Sequence, residues 1–182
     1  PQPDGPTKIR TDRGAHDVSL LVIAAGVWSR GLAAQLGTSV PLEAERGYHV
    51  MFHPQDLSLR VAVMSADRYI AVTHMKEGIR ATGVAEFADP AAAPNLANAA
   101  MVRRQAQALL PRLQGEPKTE WMGPRPSHPD SKPVIGRSPR HKNVIFAFGH
   151  DHIGLALGGI TGKLVGEIAT GRPPSVDLAP FR

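Results

Sequence analysis

The chain contains no cysteine. Disulfides, thiolate nucleophiles and Cys-type zinc sites are therefore excluded, and the composition fits a reducing compartment. Aromatic residues make up only 5% of the chain, which argues against a nucleic-acid surface built on base stacking. No apolar run approaches the roughly 18 to 20 residues that a membrane-spanning helix needs. No block of like charge reaches five, although Lys and Arg outnumber Asp and Glu by 21 to 16. The resulting net charge of +5 reads as a mildly basic, solvated surface rather than a phosphate-tracking stripe. No two glycines are separated by a single residue, so the G-x-G-x-x-G fingerprint of a dinucleotide-binding βαβ unit is absent. The opening stretch Pro1–Asp17 is polar, so no secretory leader is expected. The expected location is cytoplasmic, with membrane association as the alternative.

What is plentiful is Gly and Pro, 18 and 17 of 182 residues, which predicts many turns in one ordinary domain or two small ones. Thr7–Thr11 alternates in charge and reads as an edge strand, turned by Asp12-Arg13-Gly14. Val18–Ala25 is a continuous apolar run of strand length, as in a parallel strand buried on both faces. It ends at Gly26, and Ser29 is placed to cap a short helix, Arg30–Leu36, that Gly37 stops. Tyr48–His53, Leu59–Met64, Tyr69–His74 and Ile79–Phe87 are short β-forming runs separated by turn residues, the pattern of an antiparallel meander. Asn95–Leu110 has apolar residues at helical spacing and is ended by Pro111. The fold class read from this order is α/β with an α+β insertion. Residues 1–37 and 119–182 carry strand–glycine turn–helix pieces, and residues 38–118 form an antiparallel sheet plus helix.

The chemistry concentrates in Met122–Gly171. An Arg-Pro loop and a Pro-Val-Ile-Gly turn precede a buried strand, Val144–Phe148. That strand enters a loop opened by Gly149 and closed by Gly154, and then a helix with Gly154, Gly158, Gly162 and Gly166 on one face. A strand that turns sharply into a helix start points backbone N–H groups and a positive helix end at one spot, suited to an electron-rich or anionic ligand. Each interior glycine costs a helix about 1 kcal/mol relative to Ala, so something must approach closely. For Gly154 and Gly158 the expectation is a ligand. For Gly162 and Gly166, a ligand and a tightly packed neighbouring strand stand side by side. The loop is not a P-loop, because Leu155 stands where lysine is required. His150-x-His152 lacks further ligands at metal spacing, so no metal is expected.

The blocks Val22-Ile-Ala-Ala-Gly-Val-Trp-Ser29, Pro41-Leu42, Glu45-Arg-Gly-Tyr-His49, Glu77-Gly-Ile-Arg80, Gly83 and Glu86-Phe87 occur in order. Gly123-Pro-Arg-Pro126, Pro129-Asp130, Pro133-Val-Ile-Gly136 and Gly149-His-x-His-x-Gly154 follow. Together they resemble the FAD-dependent D-amino acid oxidase family, bacterial D-amino acid dehydrogenases in particular. The resemblance covers nearly the whole chain and implies the C-terminal part of such an enzyme. The missing fingerprint implies that the N-terminal FAD-binding half comes from elsewhere in the same or another chain, and that this chain alone holds an incomplete FAD site and is inactive.

The resemblance implies residue roles. Gly149, His150, Asp151, His152, Ile153, Gly154, Leu155 and Gly158 lie against the flavin ring end, and Gly26, Val27 and Trp28 form the glycine turn beside the cofactor. For Trp28 a core position is an equal alternative. Arg125 grips the substrate carboxylate, a role that suits a permanently charged, two-pronged donor. Tyr48 and His49 are candidates to line the substrate pocket, with packing against the sheet as the competing role. The implied reaction is oxidative deamination by hydride transfer from the substrate Cα–H to flavin N5, with a small amino acid or amine as substrate. No residue is singled out as an acid or base. The alternative is a non-catalytic basic α/β domain that binds an anionic partner. A third reading is a folded piece whose exposed edge strand, Leu20–Ala24, promotes homo-oligomers.

Overall fold

The computed structural model describes residues 7–57 and 59–181. Of the polar opening stretch, residues 1–6 lie outside the described residues. The chain divides into two compact units, Pro1–Ala44 with Arg125–Arg182, and Glu45–Pro124. The observed divisions fall at 44/45 and 124/125 rather than at 37/38 and 118/119.

The first unit opens with a hairpin, β1 (Thr7–Thr11) and β2 (Gly14–Val18). Strand β3 spans only Leu21–Ile23, because Val18 is spent on the hairpin. Val22 is 40% exposed, so the expected burial on both faces does not hold. A 3-10 turn, Gly26–Trp28, leads into helix α1 (Ser29–Gln35). Ser29 is therefore inside the helix rather than at its N-cap, and its Oγ accepts a hydrogen bond from the Ala25 N–H at 3.0 Å.

The rest of this unit comes from the C-terminal third of the chain. Strand β9 (Val134–Arg137) pairs antiparallel with β10 (Val144–Phe148), so the expected Pro-Val-Ile-Gly turn is a strand. Strand β10 also pairs in parallel with β3, giving the order β3-β10-β9. Its alternation divides the core. Val144, Phe146 and Phe148 pack with Ile23, Ala33, Leu36 and Leu42 on one face. Ile145 packs with Ile135, Leu164, Ile168 and Leu178 on the other. Helix α3 (Gly154–Ala169) buries Leu164 and Ile168 against that second face and stops before Gly171, whose φ is 72°.

The second unit holds most of a five-stranded antiparallel sheet. Its strands are β4 (Glu43–Phe52), β5 (Val63–Ser65), β6 (Ile70–Met75), β7 (Gly78–Phe87) and β8 (Pro117–Ser127), in the order β5-β6-β7-β4-β8. The segment Met122–Ser127, expected as a loop, is the end of β8. As the outermost strand it tolerates Pro124 and Pro126, whose missing N–H groups break no central ladder. Helix α2 (Leu96–Leu109) is capped by Asn95, whose side chain accepts from the Ala97 N–H. It packs Ala99, Val102 and Ala106 onto Tyr48, Val50, Phe52, Ile70, Val72, Ile79 and Ala81. No helix among the described residues is long and apolar enough to cross a membrane.

Candidate functional site

The parallel pairing of β3 with β10 aligns Leu21 with Val144 and Ile23 with Phe146. Both strands therefore leave the sheet at the same end. Each turns on a glycine at the same distance past the last pair, Gly26 with φ 57° and Gly149 with φ 82°. Ligands of open parallel sheets lie outside the carboxyl ends of the strands. Two of the predicted cofactor segments, Gly26–Trp28 and Gly149–Gly158, are thus brought to one end of one sheet.

Among the described residues, no side chain caps the start of helix α3. A Cβ added at Gly26 or Gly158 would meet nothing within 4 Å. The same is true of Gly159, Gly162 and Gly166. Close packing of the glycine stripe against a neighbouring strand is therefore not found among the described residues. Trp28 is 63% exposed and Leu155 fully exposed, so Trp28 is not a core aromatic. The loop itself is held from beneath. His150 Nε2 lies 2.9 Å from Thr161 Oγ1 on α3, and burial lowers the His150 pKa below its usual value. Asp151 takes a left-handed φ of 51° and stands 3.2 Å from His152 Nε2. Val27 is buried and Ile153 half exposed.

Arg125 reaches this loop through its chain neighbours. The Asp151 N–H donates to Pro126 O at 3.1 Å, and Ser127 Oγ donates to Asp151 Oδ1 at 2.8 Å. The next residue, His128, stacks on Phe148 with ring centroids 6.4 Å apart. A Cβ on Gly149 would overlap the His128 ring. Three consecutive residues, 126 to 128, therefore grip residues 148 to 151. His128 was not singled out in the sequence, and its pattern there carried no signal. Burial lowers its pKa, against the opposing charge of Asp130, and its Nε2 is buried without a hydrogen-bond partner. The cavity of about 930 Å³ in this unit is lined by Val40, Pro133, Phe146, Ile168, Leu178 and Phe181 among others, and by none of the predicted cofactor contacts.

Tyr48 and His49 lie in the second unit and point to opposite faces of β4, as neighbours on a strand must. Tyr48 is 1% exposed. Its hydroxyl donates to Glu86 at 2.5 Å and accepts from Arg46 Nη2 and the Asn95 N–H. These bonds place it in the core, the competing role, rather than on a surface open to substrate. His49 lies on the other face, stacked on Trp121 at 5.0 Å and 3.3 Å from Arg80 Nη2. Burial, and then the Arg80 charge, lower its pKa. Trp121 is a partner that sequence reading passed over; the β8 pairing that brings it there is a tertiary fact.

A FAD dependent oxidoreductase family model matches residues 2–168. A D-amino-acid oxidase of Bradyrhizobium diazoefficiens is 38% identical over 175 residues, covering 94% of this chain and 42% of that protein. A D-amino acid dehydrogenase of Vibrio vulnificus is 33% identical over 168 residues, covering 90% of this chain and 40% of its own. The glycine oxidase structure from Geobacillus kaustophilus superposes with a TM-score of 0.87 at 23% identity, over 99% of this chain and 50% of that one. The chain thus spans less than half the length of these curated relatives. On the family match, the chain belongs to the FAD dependent oxidoreductases of the D-amino acid oxidase (DAO) family.

Proposed function

We propose that this chain supplies the flavin-ring and substrate contacts of an FAD-dependent D-amino acid oxidase or dehydrogenase, completed by an N-terminal βαβ half. The observation that carries the reading is the grip of residues 126–128 on the Gly149–Gly154 loop, which ties the Arg125 segment to the bare start of α3. The residues present suit one end of the cofactor. An uncapped helix start, a left-handed glycine at each strand end and open space over Gly26 and Gly158 leave room for a flat ring. FAD, when bound, supplies the hydride acceptor.

The chain's own residues orient and stabilise. Backbone N–H groups of Gly154 and Leu155, with the positive end of α3, favour negative charge at that spot. Gly26, Val27 and Trp28 form the second wall. The Arg125 guanidinium binds the substrate carboxylate and so directs its Cα toward the ring. Tyr48 supports the sheet from within, while His49 remains a candidate for substrate contact. The alternative of a basic domain for an anionic macromolecule draws no support from the fold. Arg46 and Arg137 spend their guanidinium groups on internal carbonyls, and Arg30 on Glu43.

The test is Arg125→Ala in the flavin-loaded enzyme. Each charge-assisted hydrogen bond is worth about 1.5–3 kcal/mol, so KM for a D-amino acid should rise at least about tenfold. A simple amine should be unaffected. An unchanged KM for the amino acid removes Arg125 from the site.

A further inference from the structure

The second unit carries a cation that its own fold leaves uncompensated. Arg80 lies mid-strand in β7, on the sheet face opposite the α2 core: Ile79 and Ala81 on either side of it are fully buried there. Among the described residues no carboxylate pairs with Arg80. Its cross-strand neighbours are Met51 on β4 and Thr73 on β6. Arg80 Nε is buried with no hydrogen-bond partner. A charged group held partly out of water without a counter-charge is unfavourable.

The groups around it are arranged for recognition. Arg80 Nη2 donates to His49 Nδ1 at 3.3 Å. That bond fixes the neutral tautomer, so His49 carries its proton on Nε2 as a donor. The imidazole stacks on Trp121, whose interplanar angle with it is 27°. Trp121 is 55% exposed, and its indole folds back over Gly123, where a Cβ would overlap the ring. The strand therefore uses a glycine to seat an open indole beside a guanidinium and an N–H donor. Two donors and a flat apolar wall match a carboxylate on a short carbon chain.

We propose that Arg80, His49 and Trp121 form a carboxylate site within the second unit, which takes a short-chain dicarboxylate. Arg80 is the charge, His49 the orienting donor and Trp121 the wall against the methylene carbons.

Trp121 is its own reporter. In the Trp28→Phe form of the chain, sodium succinate is titrated against sodium chloride of equal ionic strength, and Trp121 fluorescence is followed. A saturable change is expected. Arg80→Gln should abolish it, and Arg80→Lys should weaken it several-fold while keeping the charge. Arg125→Ala should leave it in place. No saturable response in the parent, or an equal response in Arg80→Gln, overturns the site. A normal succinate response together with an Arg125→Ala enzyme of unchanged KM removes Arg125 from the amino acid site and leaves this site standing.

Discussion

Gly149→Ala tests the joint between the Arg125 segment and the loop. Two costs arise from one methyl group. The residue sits at φ 82°, a region that costs an L-residue about 1–2 kcal/mol. The new Cβ would also overlap the His128 ring, which is 7% exposed and stacked on Phe148, so it has little room to retreat. Overpacking of this kind costs about 1–3 kcal/mol. The sum is a destabilisation of roughly 2–5 kcal/mol. His128→Ala removes the obstacle but leaves the backbone strain. The double variant should therefore recover about 1–3 kcal/mol relative to additivity. Urea denaturation followed by Trp28 fluorescence in a Trp121→Phe background reports the first unit alone, since Trp28 belongs to it. A loss under about 0.5 kcal/mol for Gly149→Ala, or strict additivity with His128→Ala, would refute the reasoning.

Two further outcomes follow from buried groups. Arg46 is 1% exposed, lies 3.2 Å from Glu86 Oε2, and donates to the carbonyls of Asp89, Ala92 and Ala93. Arg46→Ala strips these acceptors of their donor and should destabilise the second unit by about 3–5 kcal/mol, read by Trp121 fluorescence in a Trp28→Phe background. A change under about 1 kcal/mol contradicts it. The lowered pKa values of His128 and His150 mean that the unfolded chain binds more protons than the folded one just below 6.5, their ordinary value. Stability of the first unit should therefore be full above that pH and fall as the pH drops through it toward the lowered folded values. His128→Phe should flatten the dependence of the urea midpoint between about pH 8 and about pH 5; an unaltered slope rules His128 out as a contributor.

Much of the local structure was legible in the sequence because it rests on local causes. The β10 run and the glycine that ends it, the Asn95 cap and the Pro111 stop of α2, and strands β4, β6 and β7 all carry their signals in adjacent residues. So did the bare start of α3, through its glycines. Of the expected strand Leu59–Met64, by contrast, only Val63 and Met64 are in β5. Non-local pairing decided the rest. The Arg-Pro stretch around Pro124 and Pro126 reads as a loop and Pro133–Gly136 as a turn, yet Pro117–Ser127 and Val134–Arg137 are strands because β4 and β10 lie beside them. Val18 was lost from β3 because β1 claimed it first. Tyr48 and His49 are adjacent in sequence, and only the register of β4 sends one into the core and the other beside Arg80 and Trp121. The contact of His128 with Gly149 joins positions 21 residues apart in the sequence, and no periodicity connects them. The residue types fix which groups can bind a carboxylate or bare a helix end. Which of them meet is set by strand pairing, whose free energy depends on partners distant along the chain.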